Sequence, residues 1–295
     1  MTQALIGIMG GSGLYQMEGL DDRQEHLIST PFGAPSDALV TGRLDGAPVA
    51  FLARHARGHR LLPSEVPYRA NIYAMKQLGV RWLLSVSAVG SLREDIKPLD
   101  MLLPDQFIDL TKRRDNSFFG SGAVAHVSMA QPVCNVVANA LARAVTAVLK
   151  SESADDKLPR PSLHQGGTYV CIEGPHFSSQ AESNWYRSMG ADVIGMTNMP
   201  EAKLAREAQM AYATLAMVTD FDCWHPAEAH VTANMALANV LKNAGRASQV
   251  VAHAIKLLAL EKRVSNAHSA LQNALVTQPD AMAAEVRARL DVILR

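Results

Sequence analysis

Ala213-Thr214-Leu215-Ala216-Met217-Val218-Thr219-Asp220-Phe221-Asp222 is the stretch on which the reading of this chain turns. The run from Ala213 to Val218 reads as a buried strand, and two carboxylates one residue apart, Asp220 and Asp222, follow it directly. The C-terminal edge of an open α/β sheet is where such folds bind their ligands. A single aspartate ending a strand also serves as a turn former, so the pair gains its meaning from the other strand ends.

Three of those carry oxyanion chemistry. Ala4-Leu5-Ile6-Gly7-Ile8-Met9 breaks into Gly10-Gly11-Ser12-Gly13-Leu14, a strand feeding a glycine-rich turn whose N–H groups can converge on an anion, with the Ser12 hydroxyl as a further donor. No Gly-Lys-Ser/Thr follows, which excludes a P-loop, and a dinucleotide fingerprint would need glycine where Gln16 stands. Val49-Ala50-Phe51-Leu52-Ala53 runs into Arg54-His55, then Arg57 and His59; a guanidinium there offers a planar fork to an oxyanion, with an imidazole beside it. Trp82-Leu83-Leu84-Ser85-Val86 ends in Ser87-Ala88-Val89-Gly90-Ser91, small hydroxyl and backbone donors that can complete an anion site.

Composition bounds the partners. With 295 residues, 28 basic and 28 acidic, the chain can bury one large core and has no net charge to draw it to nucleic acid or an anionic membrane. It shows neither a basic-then-apolar leader nor an apolar run long enough to span a bilayer, and a soluble, cytoplasmic protein is expected. Cys134, Cys171 and Cys223 are odd in number and widely spaced, so neither disulfides nor a zinc site is indicated; no metal is expected.

Alternation of strands with helical stretches predicts one α/β domain with a mixed, twisted central sheet flanked by helices. Helices are expected over residues 65–79, closing at Gly79, and over 131–150, the latter apolar on most faces and well buried. Residues 151–162 are polar with two prolines and read as an exposed loop. Strand character returns at 167–172, ending in Glu173-Gly174-Pro175-His176-Phe177, and at 191–195, running into Met196-Thr197-Asn198-Met199-Pro200-Glu201. From about residue 232 the chain reads as helices broken near Val264-Ser265 and at Pro279.

Taken together, Gly10-Gly11-Ser12-Gly13-Leu14, Thr30-Pro31-Phe32-Gly33, Ala53-Arg54-His55, Glu173-Gly174-Pro175, Met196-Thr197 with Pro200-Glu201, and Thr219-Asp220-Phe221-Asp222-Cys223-Trp224 resemble the trimeric purine nucleoside phosphorylases, in their methylthioadenosine-cleaving branch. The resemblance runs from about residue 5 to 245, and a helical extension occupies about 246–295. It implies a homotrimer in which phosphate, a co-substrate, attacks the anomeric carbon while the purine leaves, with neither cofactor nor metal. It further implies that Ser12, Arg54, His55, Ser87, Ala88 and Thr197 hold the phosphate, Ala88 through its backbone N–H, and that Met196 and Phe177 line the nucleoside. Asp220 would be the general acid at purine N7, its proton retained through burial and the neighbouring Asp222, while Asp222 accepts from the 6-amino group. The 5′ end would be read by Val231, Ala233, Ala236 and Leu237 with His59 nearby, and by a neighbouring subunit's equivalent of His126. Ser178 is a specificity position of the family, and serine there, like aspartate at 220, favours 6-amino methylthio substrates.

Two alternatives make different predictions. A phosphorylase of 6-oxopurine nucleosides or methylthioinosine typically has asparagine at the position matching Asp220. An NAD-dependent oxidoreductase needs an acidic residue at a second strand end about 20 positions past the glycines, and none stands between His26 and Thr30. A non-catalytic nucleoside-binding protein would bind without phosphate-dependent turnover.

Overall fold

The computed structural model describes residues 5–11, 19–152, 160–226 and 233–295, with side chains in the last stretch from residue 238 on. The middle of the expected loop at 151–162 lies outside these residues, as do Ser12 and Val231.

Four parallel strands form the centre: β1 (Ile6–Gly10) lies between β4 (Ala47–Ala53) and β5 (Trp82–Ser91), and β5 in turn pairs along its length with the strand of residues Ala211–Asp220. Each of these was expected from its apolar run. Beyond β4 the sheet continues through the antiparallel β3 (Leu39–Leu44) to an edge strand β2 (Leu20–His26). Three short strands follow β5 in the chain, β6 (Met101–Leu103), β7 (Gln106–Asp109) and β8 (Leu163–Gln165); then come β9 (Thr168–Cys171), β10 (Val193–Gly195) and the central β11 (Ala211–Asp220). At β5 the sheet forks. The distal end of β5 turns from β1 to pair antiparallel with β10, which leads on to β9 and β7, while β11 leads to β6 and β8.

β11 is buried at every position, and its period-2 alternation divides it between two cores. Tyr212, Ala216 and Val218 face a cluster that contains Ile72, Leu204 and Leu290; Ala213, Leu215 and Met217 face one that contains Leu141, Val145 and Val251. Covered on both faces, the strand has little need of polar positions, which is why its sequence is largely apolar from Ala211 to Val218. Helices α1 (Tyr68–Gln77), α4 (Asn198–Glu207) and α6 (Ala284–Leu294) line the first face, and α2 (Asn135–Ser151) and α5 (Ala233–Ala259) the second. A smaller cluster of Ile172, Ile194, Phe221 and Trp224 lies under α3 (Gln180–Ser188) through Tyr186.

The helix expected at 65–79 starts at Tyr68, directly after Pro67, and is closed by Gly79 at φ 90°, a left-handed conformation in which glycine is least strained. α2 differs from the expectation of a helix buried on most faces. Val137, Leu141, Ala144, Val145 and Val148 are buried, but Asn135, Asn139, Arg143, Thr146 and Lys150 form an exposed stripe. The expected break after α5 is present, but the stretch from there to α6 is irregular, with only the 3-10 turns Asn266–Ser269 and Pro279–Ala281 where a further helix was expected; α6 then buries Val286, Leu290 and Ile293.

Candidate active site

Because β1, β4, β5 and β11 are mutually parallel, their C-terminal ends emerge on one side, and a cavity of about 470 Å³ opens there. Gly11, Arg54 and His55, Ser87 to Gly90, and Asp220 line it from those four strand ends. Phe177 and Ser178 come from the turn before α3, and Met196 and Thr197 from the turn between β10 and α4. The expected strand ends are therefore brought together, and His59 joins them with its ring stacked on His55 at 4.4 Å between centroids.

At one end are the carboxylates, Asp220 closing β11 and Asp222 in a turn at φ 51°. Both are buried. Burial raises the pKa of Asp220, and the charge of Asp222 adds to it, against hydrogen bonds from Thr219 and the Asp222 N–H. The same carboxylate accepts the Thr219 hydroxyl at 2.6 Å and the Asp222 N–H at 2.8 Å. Thr219 Oγ also lies 3.2 Å from the Val89 carbonyl. One hydroxyl hydrogen serves either acceptor, so Thr219 donates to an ionised Asp220, or turns to Val89 and accepts from a protonated one. Burial also raises Asp222, opposed by the nearby hydroxyls of Ser183 and Ser178 and the Cys223 N–H. Those two hydroxyls approach without completing a hydrogen bond of ordinary geometry, so their influence is that of oriented dipoles. Gly90 backs the pair: a Cβ there would stand 2.9 Å from Asp220 Oδ1 and 3.1 Å from Ile194.

At the other end, Arg54 is 1% exposed and paired with a fully buried Glu201 of α4, Nε to Oε2 at 2.6 Å. Burial alone would lower the guanidinium pKa, but Glu201 outweighs it and holds the group charged. Its remaining hydrogens reach Ser85 Oγ at 2.7 Å and the Met9 and Val86 carbonyls at 3.2 Å, which leaves one Nη1 hydrogen for a ligand. The bidentate fork expected to face an oxyanion is thus turned to Glu201, and only an edge lines the cavity. Ser87 Oγ lies 3.2 Å from Thr197 Oγ, so these two hydroxyls stand side by side. Burial, then the charge of Arg54, depresses the His55 pKa to about 4.

Between the two ends lies Met196, whose carbonyl accepts from Arg114 at 2.7 Å. Arg114 also binds the Met199 carbonyl at 2.6 Å and the Glu173 carbonyl at 2.7 Å, so one buried side chain fixes the turns that follow β9 and β10. Sequence reasoning missed Arg114, Glu201 and Thr219 as supports, although Glu201 and Thr219 sit in motifs it quoted. It also missed Val240, Asn243, Ala244 and Ala247 of α5, which line the same cavity. Ala233, Ala236 and Leu237 belong to α5 by backbone, with side chains outside the described residues. His126 is exposed, with its backbone N–H on Ala274, and does not line this cavity. Among the described residues no group of three or more His, Cys, Asp or Glu is placed to hold a metal ion, and no helix is long and apolar enough to cross a membrane.

The sequence model of the phosphorylase superfamily matches residues 5–256. The chain is 55% identical over 294 residues to an S-methyl-5′-thioadenosine phosphorylase of Synechocystis sp., covering 100% of this chain and 88% of that one. Among solved structures, a methylthioadenosine phosphorylase from an antarctic soil metagenomic library superposes with a TM-score of 0.93 at 58% identity, covering 100% of both chains. A Schistosoma mansoni methylthioadenosine phosphorylase in complex with adenine gives 0.82 at 34% identity, covering 99% of this chain and 98% of that one. With the paired aspartates and the hydroxyl-lined pocket at the ends of one parallel sheet, these likenesses settle the kinship: the chain belongs to the phosphorylase superfamily, among its methylthioadenosine phosphorylases.

Proposed function

We infer that the chain cleaves S-methyl-5′-thioadenosine with inorganic phosphate, giving adenine and S-methyl-5-thioribose 1-phosphate. The observation that carries this reading is the buried, pKa-raised carboxyl of Asp220 sharing one cavity with Arg54, His55, Ser87 and Thr197. A departing purine gathers negative charge on its ring and leaves fastest when protonated at N7 as the glycosidic bond breaks. Asp220 supplies that proton, Thr219 accommodates it before transfer, and Asp222 accepts from the 6-amino group. Phosphate stands at the opposite end, where the free Nη1 hydrogen of Arg54, Ser87, the Ala88 N–H and Thr197 orient it against the anomeric carbon; Ser12, outside the described residues, is assigned to the same anion by the family resemblance. Because Glu201 neutralises Arg54 from behind, the anion meets directed donors rather than a bare cation, which holds it for attack without trapping it. Met196 and Phe177 lie along the nucleoside. Ser178, His59, Ala233, Ala236, Leu237 and a neighbouring subunit's His126 set the choice of 5′ group. The enzyme acts in the cytoplasm as a homotrimer without metal or cofactor.

The test is incubation with methylthioadenosine, adenosine, methylthioinosine and inosine, each with and without phosphate, with the free base quantified. Phosphate-dependent release of adenine, undiminished after chelator treatment, is expected. Release without phosphate, or preference for the 6-oxo substrates, overturns the reading. Light scattering should give about three times the 31.8 kDa chain mass, and a fully active monomer would remove His126 from the site.

A further inference from the structure

His55 is buried directly after β4, and its Nδ1 lies 2.9 Å from the Leu61 carbonyl oxygen. A carbonyl can only accept, so the ring hydrogen in this contact is on Nδ1. Burial and the adjacent Arg54 charge keep the ring neutral at physiological pH. A neutral imidazole has one hydrogen, so Nε2 presents a lone pair, and no described group donates to it. The ring borders the cavity beside Arg54, Ser87 and Thr197. The polar side chains named beside it, Arg54, Ser87 and Thr197, can each donate; His55 is held as an acceptor.

We propose that His55 selects the protonation state of the nucleophile: Nε2 accepts the P–OH of hydrogen phosphate, so the site takes tetrahedral dianions that carry a hydrogen and rejects those that carry none. The inference rests on the phosphate reading above and specifies which form of the anion binds there. Sulfate has the shape and charge of hydrogen phosphate, but it would set an oxygen lone pair against a nitrogen lone pair. Arsenate retains one O–H and satisfies the same contact. A site organised around a substrate O–H discriminates strongly against an analogue lacking it. The neighbouring donors still attract any dianion, so a discrimination of roughly 10²-fold is expected, below the extreme for such sites.

The experiment is calorimetric titration of the intact enzyme, without nucleoside, at mildly alkaline pH with phosphate, arsenate, sulfate and selenate. Arsenate should bind within about tenfold of phosphate, and sulfate and selenate roughly 10²-fold more weakly. His55→Gln, whose amide can turn an N–H toward the anion, should narrow the phosphate-to-sulfate ratio to about tenfold or less by tightening sulfate. Mere structural damage would weaken all four anions alike. Sulfate binding as tightly as phosphate to the unaltered enzyme, or an unchanged ratio in folded His55→Gln, overturns the inference. Should that variant fail to fold, the ratio for the unaltered enzyme decides alone. Binding ratios are read without turnover, so a protein that discriminates as expected yet cleaves no nucleoside would defeat the functional reading and leave this one standing.

Discussion

Asp220→Asn separates the proton from everything else that Asp220 does. Its Oδ1 would go on accepting the Asp222 N–H, now at 2.8 Å. The new Nδ2 would take the place of Oδ2, 2.6 Å from Thr219 Oγ, and donate to it, with the Thr219 hydrogen turned to the Val89 carbonyl 3.2 Å away. Every hydrogen-bonding group remains satisfied, and the second amide hydrogen faces the cavity, where it can reach N7 or a 6-oxo oxygen but cannot protonate either. The loss should therefore be that of a general acid, roughly 10²- to 10⁴-fold in kcat for methylthioadenosine, with methylthioinosine affected less. Steady-state kinetics on both substrates, with thermal melts of both proteins, measures this. Turnover of methylthioadenosine at the unaltered rate would refute Asp220 as the acid, and equal losses on both substrates would refute the account of base choice.

The same substitution makes a prediction about pH. Folding raises the Asp220 pKa, so its stabilising contribution is full below the ordinary aspartate value of 3.8 and lost as pH rises through the folded value. An amide does not titrate, so the Tm of Asp220→Asn relative to the unaltered enzyme should climb between pH 4 and pH 7, and a flat difference would contradict the raised pKa. Glu201→Ala strands a buried guanidinium and should cost about 3–5 kcal/mol in denaturant unfolding, with Glu201→Gln costing less; an unperturbed midpoint in the alanine variant would mean that Arg54 finds another partner. Gly90→Ala puts a methyl against the Asp220 carboxylate and Ile194, which should lower kcat by roughly 10²-fold through misplacement of the acid, and unchanged kcat would show that the carboxylate has room to move.

What was legible in the sequence follows from where each element lies. β1, β4, β5 and β11 are covered on both faces, so their apolar runs and abrupt polar ends stand out, and those ends carry Arg54, His55, Ser87 and Asp220. β2 has the sequence Leu-Asp-Asp-Arg-Gln-Glu-His and is exposed along its centre; only pairing with β3 makes it a strand, and no apolar pattern records that. β6 and β8 are each three residues long, too short to show a period. For α2, apolar content alone suggests burial on most faces, and the exposed stripe from Asn135 to Lys150 appears only when residues are placed three and four apart. α3 opens with Ser179 and Glu182 in a reciprocal capping box, a signal present in the sequence, but few apolar residues follow to mark the helix. The Arg54–Glu201 pair spans 147 positions, and the fork read as facing an anion is turned inward by a partner that only the fold supplies.

β5 carries Ser87 at the Arg54 end of the cavity and Gly90 against Asp220 at the other, within one uninterrupted ten-residue strand. Three residues of extended chain advance about 10 Å, so in the proposed reaction the strand would act as a ruler between the incoming and departing groups. An inserted or deleted residue would change that span and also swap which side chains face the cavity, whereas loops at the rim can lengthen without altering it. Variation in what the pocket accepts at the 5′ end is therefore free to accumulate around a reaction distance that the strand keeps constant.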